Sequence, residues 1–185
     1  MSTRRYDPDR KTRIVDAAIG VIAEHGVTGT THRRIAAAAD VPLGSLTYHF
    51  TGLDDLLEQA FRRHAATMSA VYARHFDGVR TRDDLVDAVT DLVHRDAGAD
   101  RHDWAVAYEL YLAALRNPAL RDVTETWMRA SRAVLERFVD PLTARGLDGA
   151  IEGLVMHAVL STAEPPSRAD VRALVARLVP AAARP

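Results

Sequence analysis

Residues 30–50 read TTHRRIAAAADVPLGSLTYHF. An alanine-rich run with Ile35, Ala36 and Ala39 at helical spacing is broken at Asp40-Val41-Pro42, and a short glycine-containing run then ends in aromatics. The pattern predicts two short helices about a tight turn, a device that holds its second helix against something outside the protein. Ala36, Ala37 and Ala38 are small where two helices must cross closely, Val41 plugs the turn, and Leu46 anchors the second helix to the core. Thr30 or Thr31 caps the first helix. Pro42, Leu43, Gly44, Ser45, Thr47, Tyr48 and His49 are then left to face a DNA major groove and its flanking phosphates. Arg33 and Arg34 stand near a helix start, where a cation opposes the dipole; a solvated face explains them blandly, a phosphate partner more sharply.

Outward from this stretch the chain reads as helix after helix. Asp7 can cap a first helix with Pro8 at its first position, Ile14, Ala17, Ala18, Val21 and Ile22 on one face, and Gly26 as its stop. A long fourth helix runs from about residue 53 to Gly78, and Thr81 and Asp100 open the fifth and sixth, with Gly98 between them. Asn117-Pro118 opens a seventh that the periodicity carries through Leu135, Phe138 and Leu142 to Gly146. Asp148 starts an eighth, Glu164-Pro165-Pro166-Ser167 breaks it, and Val171 to Val179 make a ninth. No segment alternates strictly in the manner of a strand. The expectation is an all-α protein of about nine helices, divided into an N-terminal helix-turn-helix unit over 1–52 and a C-terminal bundle over 53–185.

Composition narrows the function. At 185 residues with a formal net charge of -1, any nucleic-acid footprint must be local rather than global. The absence of cysteine removes disulfides, thiolate metal sites and thiol catalysis, and fits a reducing cytoplasm, where the chain is expected to work. Arg4, Arg5, Arg10, Lys11 and Arg13 crowd the N-terminus, but no apolar segment follows them, so the sequence predicts neither a signal peptide nor a membrane span.

The residues of the turn resemble the DNA-binding motif of the tetracycline-repressor (TetR) family in order and spacing: Thr31, Ile35-Ala36, Ala39-Asp40-Val41, Gly44-Ser45-Leu46, Tyr48-His49-Phe50 and Leu56-Leu57. The resemblance is specific over residues 10–61. It implies a homodimeric transcriptional regulator, usually a repressor, that binds a palindromic double-stranded operator through three N-terminal helices and is released when a small-molecule inducer enters its C-terminal bundle. Two departures qualify it. Leu43 and Leu53 stand where many members carry lysines, and Thr47 where a tyrosine is frequent. Electrostatic anchoring then falls to Arg33, Arg34 and the N-terminal cations, and Leu43 can pack on a thymine methyl.

In the bundle, His64, Met68, Trp104, Tyr108, Glu109, Tyr111, Trp127 and Met128 are the candidate ligand-lining residues. Most aromatics at helical spacing are core. A core histidine is the simpler reading of His64, and an intramolecular arginine the simpler partner for Glu109. His94, Asp96, Asp100, His102 and Asp103 look superficially like metal ligands, but a cap and solvated side chains account for them, so neither metal nor cofactor is expected. Ile151, Val155, Val159, Leu174 and Leu178 would leave an exposed apolar patch that a twofold mate buries, with His157 in or near that interface. Two other classes compete: a helical interaction protein that has lost DNA binding, favoured by Leu43 and Leu53, and an enzyme using His64, Tyr108 and Glu109. The latter lacks a nucleophile motif, a phosphate loop or a paired metal motif.

Overall fold

The computed structural model describes residues 8–97 and 101–181. Among them the regular elements are nine helices: α1 (Arg10–Gly29), α2 (His32–Ala38), α3 (Gly44–His49), α4 (Leu53–His75), α5 (Arg82–Ala97), α6 (Arg101–Ala114), α7 (Pro118–Leu135), α8 (Pro141–Leu160) and α9 (Arg168–Leu178). None of them is long and apolar enough to cross a membrane.

Local chemistry sets most of the boundaries. Thr31 caps α2 by accepting the Arg34 amide at 3.3 Å. The α5 start is a reciprocal box: Asp84 accepts from the Thr81 amide at 2.8 Å while the Thr81 hydroxyl accepts from the Asp84 amide at 3.1 Å. Asn117 accepts from the Ala119 amide at 3.0 Å and places Pro118 first in α7. Asp7, Gly98 and Asp100, expected to bound α1, α5 and α6, lie outside the described residues, as do Arg4 and Arg5.

One boundary expected from periodicity is wrong. α7 ends at Leu135, and α8 begins at Pro141 and runs without a break through Asp148 and Gly149. The cause is Asp140, whose carboxylate accepts from the Leu142 amide at 3.0 Å and the Thr143 amide at 3.1 Å, with Pro141 in the first turn. Leu142 and Gly146 therefore belong to the start of α8 rather than the end of α7.

The chain forms two compact units, Met1–Ala65 with His102–Thr124 and Ala66–Arg101 with Glu125–Pro185. The first centres on Ile14, Ile22, Ile35, Leu46, Leu56, Phe61 and Leu110, all fully buried. The second centres on Phe76, Leu85, Leu92, Leu135 and Leu147, with α5 packed on both α8 and α9. Its α5 and α9 are further tied by charge, Arg172 Nε to Asp87 at 2.7 Å and Arg168 Nη2 to Asp91 at 2.7 Å. Arg82 donates to the Ala176 carbonyl at 2.6 Å and to the Val179 carbonyl at 2.9 Å, closing the C-terminal end of α9 with a cation.

Candidate nucleic-acid interface

The α2–α3 pair is built from the turn outward. Ala39 closes α2 with its amide on the Ile35 carbonyl at 2.9 Å, and Asp40 then adopts a positive φ of 51°. Asp tolerates this left-handed conformation better than most residues because its short side chain can bond locally. The Val41 amide returns to the Ala36 carbonyl at 3.0 Å, and the Ser45 amide meets the Pro42 carbonyl at 2.8 Å, starting α3. Leu46 and Phe50 are buried beneath α3, as are Ile35, Ala36 and Ala39 beneath α2. The anchors expected from the sequence hold the pair as expected.

With one side of α3 committed to the core, the other is open. Tyr48 is 83% exposed and Leu43 49%. Pro42, Gly44 and Thr47 are exposed, Ser45 and His49 half-buried. A Cβ at Gly44 would meet nothing within 4 Å, so its value is an unobstructed backbone rather than room for a neighbour in the same chain. The Thr47 hydroxyl donates to the Gly44 carbonyl at 3.1 Å, holding its methyl outward. His49 packs edge-on against Tyr48 at 4.9 Å and near Phe50 at 6.3 Å between ring centres, so its orientation is set by its neighbours.

Cations flank this surface. Arg33 and Arg34 are exposed, and Arg34 donates to the Gly29 carbonyl, which fixes its guanidinium over the end of α1. Lys11 lies over the Phe50 ring at 5.5 Å, so an α1 residue brings an ammonium beside the end of α3. This juxtaposition is what sequence order could not show. The α4 start is fixed by Asp55, which accepts from the Thr51 amide at 2.9 Å and from Gln59 at 2.6 Å. The Thr51 amide, then the Gln59 bond, hold the Asp55 carboxyl below its ordinary pKa.

Behind this surface, in the same unit, α6 meets the end of α1. Gly26 breaks α1 at φ 67°, ψ 172°, and the next amide, Val27, donates to Glu109 Oε2 at 2.8 Å. The expected partner of Glu109 was an arginine. Its observed partner is backbone, because the helix interruption at Gly26 frees an amide that needs an acceptor. Trp104, Tyr108 and Tyr111 follow one another along α6 with ring centres 5.7 and 6.3 Å apart. His64 is buried in this unit, and burial pushes its pKa down against a partial opposing pull from Asp103.

Met68, Trp127 and Met128 belong to the second unit, where Met128 is exposed on α7 rather than turned inward. The expected outer patch also needs correction. Ile151 is 7% exposed and Val155 fully buried, since they lie on the side of α8 that faces its own core with Ala144 and Leu147. The solvent-facing apolar groups are Leu160, Leu174 and Leu178, with His157 exposed beside Leu160 and Val159 half-buried.

A turn-linked helix pair with buried anchors, an open second helix and flanking cations defines a helix-turn-helix DNA-binding protein. The model of the tetR family of bacterial regulatory proteins matches residues 14–60, and that of the tetracyclin repressor-like C-terminal domain matches residues 80–181. The chain belongs to the TetR family of transcriptional regulators, and it is a regulator rather than an enzyme. It is 30% identical to the HTH-type transcriptional repressor AcnR of Corynebacterium diphtheriae over 69% of this chain, but spans only 63% of that repressor's length. Among solved structures, SCO7518 of Streptomyces coelicolor A3(2) is 45% identical with a TM-score of 0.87, covering 93% of this chain and 99% of that one. The multidrug binding protein EbrR, solved with ethidium, is 39% identical with a TM-score of 0.77, covering 92% of this chain and 99% of that one.

Proposed function

We propose that the chain is a repressor that binds a palindromic operator as a homodimer and leaves it when a small organic inducer binds. The observation that carries this reading is the open face of α3, held by Leu46 and Phe50 while Tyr48 and Leu43 project into solvent. On DNA, Leu43 packs on a thymine methyl, Thr47, Tyr48 and His49 serve base edges and phosphates, and Thr31, Arg33, Arg34 and Lys11 supply the backbone anchoring. Two copies of α3 one helical turn apart, roughly 34–36 Å, read the two half-sites.

The pairing surface we assign to α8 and α9, on their exposed Leu160, Leu174 and Leu178 with His157 at its rim. The N-terminal reading unit spans 1–52 and the sensing and pairing part 53–185. Trp104, Tyr108 and Tyr111 on α6 are the ligand-contacting residues we favour, and Glu109 carries a displacement of α6 to the end of α1. For ligand class we take EbrR as guide, which points to a planar organic cation. In the second unit, the Tyr72 hydroxyl is buried with no hydrogen-bond partner, and Asp148 and Asp96 lie near enough to add to the rise that burial imposes on its pKa.

Footprinting on the DNA upstream of the chain's own gene, with and without ethidium, tests the reading. The expected result is a protected inverted repeat lost on adding ethidium; no protected site at low salt would sink the repressor reading. A Leu43→Ala variant should change operator preference at one position, and an unchanged preference would remove the thymine contact.

A further inference from the structure

The second unit encloses a cavity of about 230 Å3 under the α8–α9 connection, away from every residue assigned above to DNA or inducer. Its wall is Val93 and His94 from α5, Leu154 and Ala158 from α8, Val171 from α9 and the Pro165-Pro166 pair between them. Three properties of that wall bear on what it holds. It carries no carboxylate, lysine or arginine, so it offers a formally charged ligand no counter-charge. Two consecutive prolines present no N–H, which leaves His94 as the one side chain with hydrogen-bonding capacity among the lining residues. The His94 Nε2 is buried and has no hydrogen-bond partner.

A water would satisfy that nitrogen poorly, because an internal water needs two to four polar partners and this wall supplies a single imidazole. A ligand that is apolar over most of its surface and carries one hydrogen-bonding group fits both demands. A hydroxyl serves best, since it donates to a neutral Nε2 in one histidine tautomer and accepts from Nε2–H in the other. Scaled from a cavity of about 150 Å3 that holds benzene, this volume takes roughly eight or nine non-hydrogen atoms. Pro165 and Pro166 are exposed, which puts the entrance at the connection itself.

We propose that the cavity between α5, α8 and the α8–α9 connection is a second small-molecule site, taking a neutral one-ring aromatic alcohol whose hydroxyl bonds His94 Nε2. The proposal stands apart from operator and inducer binding, since every lining residue lies in α5, α8, α9 or the segment joining the last two. A ligand there props the connection against α5 and so acts on the elements assigned above to pairing.

The test is an NMR titration of the full chain, with labelled histidine rings and Leu, Val and Ala methyls, using 4-methylphenol and its near-isostere para-xylene. The expected result is saturable shifts at His94, Leu154, Ala158 and Val171, with 4-methylphenol binding roughly tenfold tighter, the difference one hydrogen bond supplies. Ala158→Leu should fill the space and abolish binding of both compounds, with folding checked by circular dichroism. His94→Phe should erase the preference, and this comparison decides the matter if the Ala158 variant does not fold. Equal affinity of the two compounds for the unaltered chain, shifts away from these residues, no saturation at millimolar concentration, or binding unchanged by Ala158→Leu would each overturn the proposal.

Discussion

The contact between Gly26 and Glu109 predicts a coupled loss of stability that can be measured with three variants. Gly26 sits at φ 67°, ψ 172°, a region essentially closed to residues with a Cβ, and forcing one there costs about 1–3 kcal/mol. A Cβ added at Gly26 would lie 2.9 Å from Glu109 Oε1 and 3.3 Å from its Cδ, too close to stay. The carboxylate is a flexible group and can withdraw, but doing so gives up its 2.8 Å bond from the Val27 amide. A bond to a charged acceptor is worth about 1.5–3 kcal/mol when desolvated, so about 1–2 kcal/mol is a fair figure for this half-buried one. Gly26→Ala should therefore cost about 2–5 kcal/mol and Glu109→Ala about 1–2 kcal/mol. The double variant loses the Val27 bond only once, so its cost should fall short of the sum by about 1–2 kcal/mol. Urea unfolding of all four proteins measures the cycle. Costs that add to within about 0.5 kcal/mol would refute the reasoning, since independent sites behave that way.

The remaining predictions concern the turn, the reading helix and one buried histidine. Asp40→Gly should raise stability by about 0.5–1 kcal/mol in thermal unfolding, because glycine adopts the positive φ of 51° without the Cβ penalty. Leu46→Ala should cost about 2–5 kcal/mol and Tyr48→Phe almost nothing, whereas both should weaken operator binding in a gel-shift assay. His64 takes up its proton in the folded state at a lower pH than its ordinary 6.5, with burial the main cause. Between that lowered value and 6.5 the unfolded chain holds more protons, so this contribution to stability is complete above pH 6.5 and declines as pH falls below it. Burial raises the pKa values of Asp96 and Asp148, which works in the opposite sense at lower pH. The difference in urea midpoint between the parent and His64→Leu, followed from pH 8 to 5, isolates the histidine; a difference independent of pH would contradict the assignment.

What the sequence made legible was whatever depends on neighbours along the chain. Leu46, Ile35 and the small alanines define the turn because their spacing alone decides which side of a short helix is buried. The α7–α8 junction follows the same logic, and Asp140-Pro141 carries the signal that placed the starts at Pro118 and Thr81. Apolar periodicity through Phe138 and Leu142 masked it, since two helices in succession can keep an apolar rhythm in phase. Glu109 was out of reach for a different reason. Its partner lies 82 positions away and is a backbone amide, which no side-chain complementarity announces. Ile151 and Val155 show the limit of reading an amphipathic helix at the end of a chain. Periodicity identifies an apolar side, but whether α5 or a second copy covers it is a matter of three-dimensional packing.

Arg82 gives the end of the described chain an unusual resilience. The final turn of a C-terminal helix ordinarily frays, and its amides trade protons with solvent long before those of the core. Here the carbonyls of Ala176 and Val179 are held by a guanidinium rooted at the first residue of α5, so opening that turn must also release the start of another helix. Amide exchange in the last turn of α9 should consequently follow that of the first turn of α5, and the two ends should loosen together when Arg82 is replaced.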